Sequence, residues 1–196
     1  MSLSSMPTEV GFFLLSRLLQ CNIPQKQADN IVSSVHATGA TCLSLLIRTN
    51  TIDFPILRNF STGYFIHDIL QMIYNNKKLN VMNLGFLYHH LASIYLLNSS
   101  VKPSLVSTIF FWAELSNLPT YPLYHYLHQK GDHKDTIKKL QMLQKIVFTA
   151  IRVIVISNMI HQYLKKKGRE NIPKPLLAVL PIYFMGLGWT YKILRQ

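Results

Sequence analysis

His36, His67, Asp68, His89, His90, Glu114 and Arg152 stand inside tracts that are otherwise largely apolar. At the centre of a membrane-spanning helix an ionisable side chain costs roughly 2.5–3.5 kcal/mol on the insertion scale, so several retained together imply a structural or a chemical use. Helical spacing groups them. Ser61, Tyr64, Asp68 and Gln71 form one stripe with His67 at its flank, Asn83 and His90 share a face, and so do Ser107, Glu114, Asn117 and Tyr121. These faces are expected to turn away from lipid and build a polar chamber lined by His36, Ser61, Tyr64, His67, Glu114, Asn117 and Arg152, with Tyr64, Asp68, His90, Glu114 and Arg152 converging. His89 or His90, oriented by Asp68 or Glu114, is the combination a general base needs to activate an amine or hydroxyl nucleophile. Alternatively the groups satisfy one another, Arg152 pairing with Asp68 or Glu114 and the histidines donating to carbonyls. A metal centre is not expected. Adjacent histidines on a helix point about 100° apart, and no HxxHH cluster is present.

The elements that must position these residues are read from gaps in charge. Crossing the ~30 Å hydrocarbon layer takes about 20 residues. Residues 30–47, 79–101 and 175–191 contain no Asp, Glu, Lys or Arg. Between them lie three tracts with internal charges: 54–74 with Arg58 and Asp68, 104–128 with Glu114, and 140–164 with Lys145 and Arg152. A soluble helix would show a charged outer stripe; residues 146–160 are apolar nearly all round. The reading is an all-α transmembrane bundle of about six spans, near 30–48, 54–74, 79–98, 104–127, 142–164 and 174–193. Residues 28–196 form the membrane domain. Residues 1–27 are expected to be a short amphipathic or partly inserted segment, since the apolar stretch 10–19 is interrupted by Arg17.

Composition sets the outer bounds. The 196 residues carry a net charge of +12, yet charged residues are only 14%, against roughly 25% in ordinary soluble proteins. The aliphatic and aromatic content excludes disorder. Cys21 and Cys42 are too few for a disulfide scaffold. The run Lys165-Lys166-Lys167-Gly168-Arg169 reads as a juxtamembrane cluster at lipid headgroups rather than a nucleic-acid surface. No GxxxxGK[ST], GxGxxG or GxSxG motif is present, so no nucleotide cofactor is expected.

With six spans the termini share a face. Ten Lys and Arg lie near that face and seven near the other, which assigns both termini to the cytosol and the sequon Asn98-Ser99-Ser100 to the lumen.

The polar residues also fall into phrases: Ser33-Ser34-Val35-His36-Ala37, Ser61-Thr62-Gly63-Tyr64-Phe65-Ile66-His67-Asp68, Tyr88-His89-His90-Leu91, Ala113-Glu114-Leu115-Ser116-Asn117 before Pro119, and Phe148-Thr149-Ala150-Ile151-Arg152. In this order the chain resembles the TLC-domain family, named for TRAM, LAG and CLN proteins, over about residues 28–194. It looks nearest to the small TLC-domain transmembrane proteins. The resemblance implies a multi-pass protein of the endoplasmic reticulum or a related endomembrane. Its partners would be membrane lipids, and its role lipid homeostasis. It also raises fatty-acyl transfer from acyl-CoA, the ceramide synthase reaction, for which His89, His90 and Asp68 are the candidate catalytic residues. Ceramide synthases place a His-His before a His-Asp; here His67-Asp68 precedes His89-His90. A third reading is a non-enzymatic trafficking or scaffold protein.

Overall fold

A computed structural model describes residues 6–75, 80–167 and 172–195. Those residues form helices joined by short links: α1 Met6–Gln20, α2 Gln25–Arg48, α3 Phe54–Asn75, α4 Val81–Leu97, α5 Pro103–Asn117, α6 Thr120–His128, α7 Lys134–Thr149, a π-helical stretch Ala150–Val155, α8 Ile156–Lys167 and α9 Lys174–Leu194. The chain is thus an all-helical bundle of the membrane type that the charge gaps indicate. α2, the continuous helix Lys134–Lys166 and α9 are long and apolar enough to cross a membrane, and α4 is a shorter apolar helix. The exterior is correspondingly apolar: Leu70, Val81, Leu91, Ile154 and Phe184 are all exposed, a surface that would aggregate in water.

α2 lies at the centre against α5. Its buried face is small-residued, with Ala37, Ala40, Thr41 and Ser44, which lets backbones approach as membrane helices require. The packed centre joins Val32 of α2, Leu57 and Phe65 of α3, Leu96 of α4 and Phe110 of α5. Pro103 opens α5 at its first turn, where the missing N–H costs nothing.

Three expectations are corrected. First, the tract 104–127 is two helices. Pro119 cannot donate a hydrogen bond, and the helix breaks at residues 118–119 between α5 and α6. Second, the tract 142–164 belongs to a longer helix starting at Lys134, interrupted by the π-helical stretch in which the Ile156 N–H reaches back to Ile151 O. Such a stretch inserts one extra residue and offsets the faces on either side.

Third, the two ends of the bundle do not share a face, because α1 packs along α3. Phe12 and Ser16, one turn apart, are buried. Thr8 Oγ1 donates to Asn59 O at 3.0 Å, Gln71 Nε2 donates to Ser16 Oγ at 3.3 Å, and Phe12 packs between Phe60, Tyr64 and His67. Low residue numbers of α1 meet low numbers of α3, so the two run parallel. The first turn of α1 therefore lies toward the face of the link 49–53, whereas α9 ends at the opposite face. The termini of the bundle do not share a face. The basic bias itself is untouched, because the tract 1–16 contains no Lys or Arg and the link 21–24 stays on the Lys-rich side. Lys77, Lys78, Gly168 and Arg169, and the side chain of Lys167, lie outside the described residues.

Candidate functional site

The inward polar residues form two hydrogen-bonded groups. The first is built by α2, α3 and α4. His36 Nε2 lies 3.1 Å from Ser61 Oγ, and its ring stacks on Tyr64 with centroids 3.9 Å apart and planes within 7°. The Tyr64 hydroxyl donates to Ser33 Oγ at 3.0 Å. One turn further along α3, Asp68 Oδ2 sits 2.6 Å from His90 Nε2. His90 is buried, while the Asp68 side chain keeps 29% of its surface. The other ring nitrogen of His90, Nδ1, is buried without a hydrogen-bond partner.

The second group joins α5 to the π-helical stretch. Arg152 Nε donates to Ser116 Oγ at 2.8 Å, and Nη2 donates to Ala113 O at 3.3 Å and to Asn117 Oδ1 at 3.2 Å. The Asn117 amide donates in turn to Glu114 Oε2 at 3.2 Å. The guanidinium also lies 5.2 Å from the centroid of the Phe148 ring. The helix irregularities place this group. The break before Pro119 ends α5 one turn below Glu114, and Arg152, in the π-helical stretch, meets the Ala113 carbonyl and the Ser116 and Asn117 side chains in the last turn of α5.

Phe65 lies between the two groups, touching His90, His89 and Phe110. Glu114 nonetheless lies within Coulombic reach of Arg152 and of His90, and Tyr121 of Glu114, Asp68 and Arg152. The five residues expected to converge are therefore all near the bundle interior, but not in one chamber. Tyr64, Asp68 and His90 belong to one network, Glu114 and Arg152 to the other. The expected ion pair between Arg152 and a carboxylate is absent among the described residues; a neutral carboxamide, Asn117, bridges Arg152 and Glu114 instead. His89 and His90, adjacent on α4, part as helix geometry demands: His90 toward Asp68, His89 toward the second group. His67 is buried but turned away from both, against Phe12 and Phe13 of α1.

The second group lies at one end of an apolar slot of about 390 Å³ between α4, α5, α8 and α9. His89, Glu114 and Arg152 are its ionisable lining residues; Ile109, Met159, Leu176 and Tyr183 are typical of the rest. The wall follows the π-helical stretch and α8 from Arg152 to Leu164, a rise of about 18 Å. It ends beside Leu105, Ile172 and Leu176, at the face of the link between α4 and α5. Part-way along it the hydroxyls of Tyr183 and Ser157 lie 2.6 Å apart.

The slot, Ser116, Gly186 and Tyr183 escape sequence reasoning. Ser116 stands one position off the Glu114–Asn117 face and is reached only because Arg152 comes from another helix. Gly186 is an apolar-tract glycine whose use shows only in space: a Cβ there would lie 3.2 Å from Arg152 Nη1. No linear signal marks the slot, since wall and exterior residues are of the same apolar types.

No curated protein matches the chain, and no solved structure does. The family model of the TLC domain, shared by TRAM, LAG1 and CLN8 proteins, matches residues 26–195. All the polar residues described here from α2 onward fall inside that span, and the chain is a membrane protein belonging to the TLC-domain family.

Proposed function

We propose that this protein acts in lipid homeostasis, in the endoplasmic reticulum or a related endomembrane, by holding the hydrocarbon chain of a lipid in the slot between α4, α5, α8 and α9. The observation that carries the reading is the size and chemistry of the slot: apolar along its length, polar at the end where His89, Glu114 and Arg152 gather. Ligand sites are typically concavities of ~300–1,000 Å³, mostly apolar with a few fixed polar groups. The test is mass spectrometry of lipid carried through purification in mild detergent. A bound chain should co-purify with the native protein and be lost from Ile109→Trp, which fills the wall. Equal lipid in both would overturn the reading.

A second reading is fatty-acyl transfer from acyl-CoA. It draws on the 2.6 Å contact between Asp68 and His90 and the unpartnered Nδ1 of His90. A carboxylate-oriented imidazole with one free nitrogen is the arrangement of a general base. Transfer of label from acyl-CoA to an amine or hydroxyl acceptor, abolished in His90→Ala at normal folded yield, would establish it. Turnover unchanged in that variant would dismiss the role of His90.

A further inference from the structure

We propose that the chain held in the slot ends in an anionic head, a carboxylate, and that Arg152 is the residue that binds it. This rests on the lipid-site reading above and adds the chemical class of the ligand.

The argument starts from how Arg152 is held. It is buried, and all three of its hydrogen-bond acceptors are neutral: the Ser116 hydroxyl, the Ala113 carbonyl and the Asn117 carboxamide. Among the described residues no carboxylate lies within ion-pair distance of it. A buried guanidinium with no carboxylate in direct contact is a costly arrangement, Glu114 being its nearest charged neighbour across Asn117, and a guanidinium has five N–H donors to spend. Nε and Nη2 are spent on α5. Nη1 has no partner among the described residues, and it lies on the side of Gly186, whose missing side chain leaves it room. Arg152 is a lining residue of the slot, at the end it shares with His89 and Glu114.

The rest of the lining decides the kind of anion. Apart from His89, Glu114 and a few hydroxyls, the walls offer only hydrocarbon and aromatic surface. A guanidinium with unspent hydrogens at the end of an apolar slot is complementary to a hydrocarbon chain bearing one negative charge. A long-chain fatty acid has that form: its carboxylate takes the free guanidinium hydrogens in charge-assisted bonds, and its chain replaces empty space along α8. A chain ending in a neutral group would leave Arg152 with only Glu114 as a charged neighbour, held off the guanidinium by Asn117. Glu114, tied to the Asn117 amide, stays beside the head rather than on the guanidinium.

The experiment is equilibrium binding of labelled palmitate and of cetyl alcohol, the same chain with a neutral head, to the purified full-length protein in detergent. Palmitate should bind about tenfold or more tightly than the alcohol. Arg152→Gln should remove that preference, bringing palmitate down to the alcohol. Arg152 also braces α5, so Gly186→Ala is the second variant. Its Cβ crowds Nη1 without removing the charge and should weaken palmitate binding while leaving the alcohol unchanged. Equal affinity for acid and alcohol, with Ile109→Trp abolishing both, would overturn the anionic head and leave the slot standing. Failure of Ile109→Trp to weaken either would overturn the slot and with it this inference.

Discussion

His90 shows how much one contact settles. Its Nε2 is within 2.6 Å of Asp68, and a hydrogen bond to a charged group is worth about 1.5–3 kcal/mol. His90→Ala removes that bond and leaves Asp68 without its partner, so it should lower stability by about that amount in a detergent unfolding assay. Asp68→Asn keeps an acceptor and should cost less. Ile154→Val, at an exposed lipid-facing position, should change stability by less than about 0.5 kcal/mol. Loss of a lipid phenotype in His90→Ala at normal yield would locate function at the pair; loss of yield alone would make it scaffold. Which residues are buried and polar was largely legible in the chain, because an ionisable group in an apolar tract must turn inward. Their partners were not. Asp68, Glu114 and Arg152 allow several pairings by charge alone, and only the offset introduced by the π-helical stretch assigns Arg152 to Ser116 and Asn117.

α1 is the element the sequence describes least well. Fifteen residues containing Glu9 and Arg17 are short and charged for a span, so the segment reads as amphipathic or partly inserted. In the fold only the stripe through Phe12 and Ser16 is buried, and Arg17 points outward. Docking depends on Gly63, where a Cβ would fall 2.6 Å from Thr8 Oγ1 and 2.8 Å from the backbone nitrogen of Glu9. A backbone atom cannot swing aside as a side chain does. Gly63→Val should therefore push α1 off α3 at a cost of about 1–3 kcal/mol. In a background with Cys21 and Cys42 replaced by Ser, cysteines at Ser16 and Gln71 should be joined by a short bis-maleimide in the parent and not in Gly63→Val. Undiminished cross-linking would show that the close approach is dispensable. The break before Pro119 could be anticipated from proline chemistry. The π-helical stretch carries no such mark, since Ala-Ile-Arg-Val-Ile-Val is ordinary helix sequence.

At the scale of the molecule, the charge gaps identify the bundle but not its parity. Adding α1 beside α3 places the two ends of the described chain at opposite faces. An epitope tag ahead of Met6 and another after the last residue should show opposite protease protection in sealed microsomes. Protection of both, or of neither, would return the fold to an even number of crossings. The slot is likewise a property of the whole, made by four helices, none of which displays it alone.

The claim that this slot holds a lipid chain is tested most directly by photo-crosslinking with a diazirine fatty acid in membranes, followed by peptide mapping. Adducts should concentrate on slot-wall residues such as Ile109, Met159, Leu176 and Tyr183 and be competed away by unlabelled palmitate. Adducts spread over the exposed exterior, at positions such as Leu70, Leu91 and Ile154, and indifferent to competitor would contradict it.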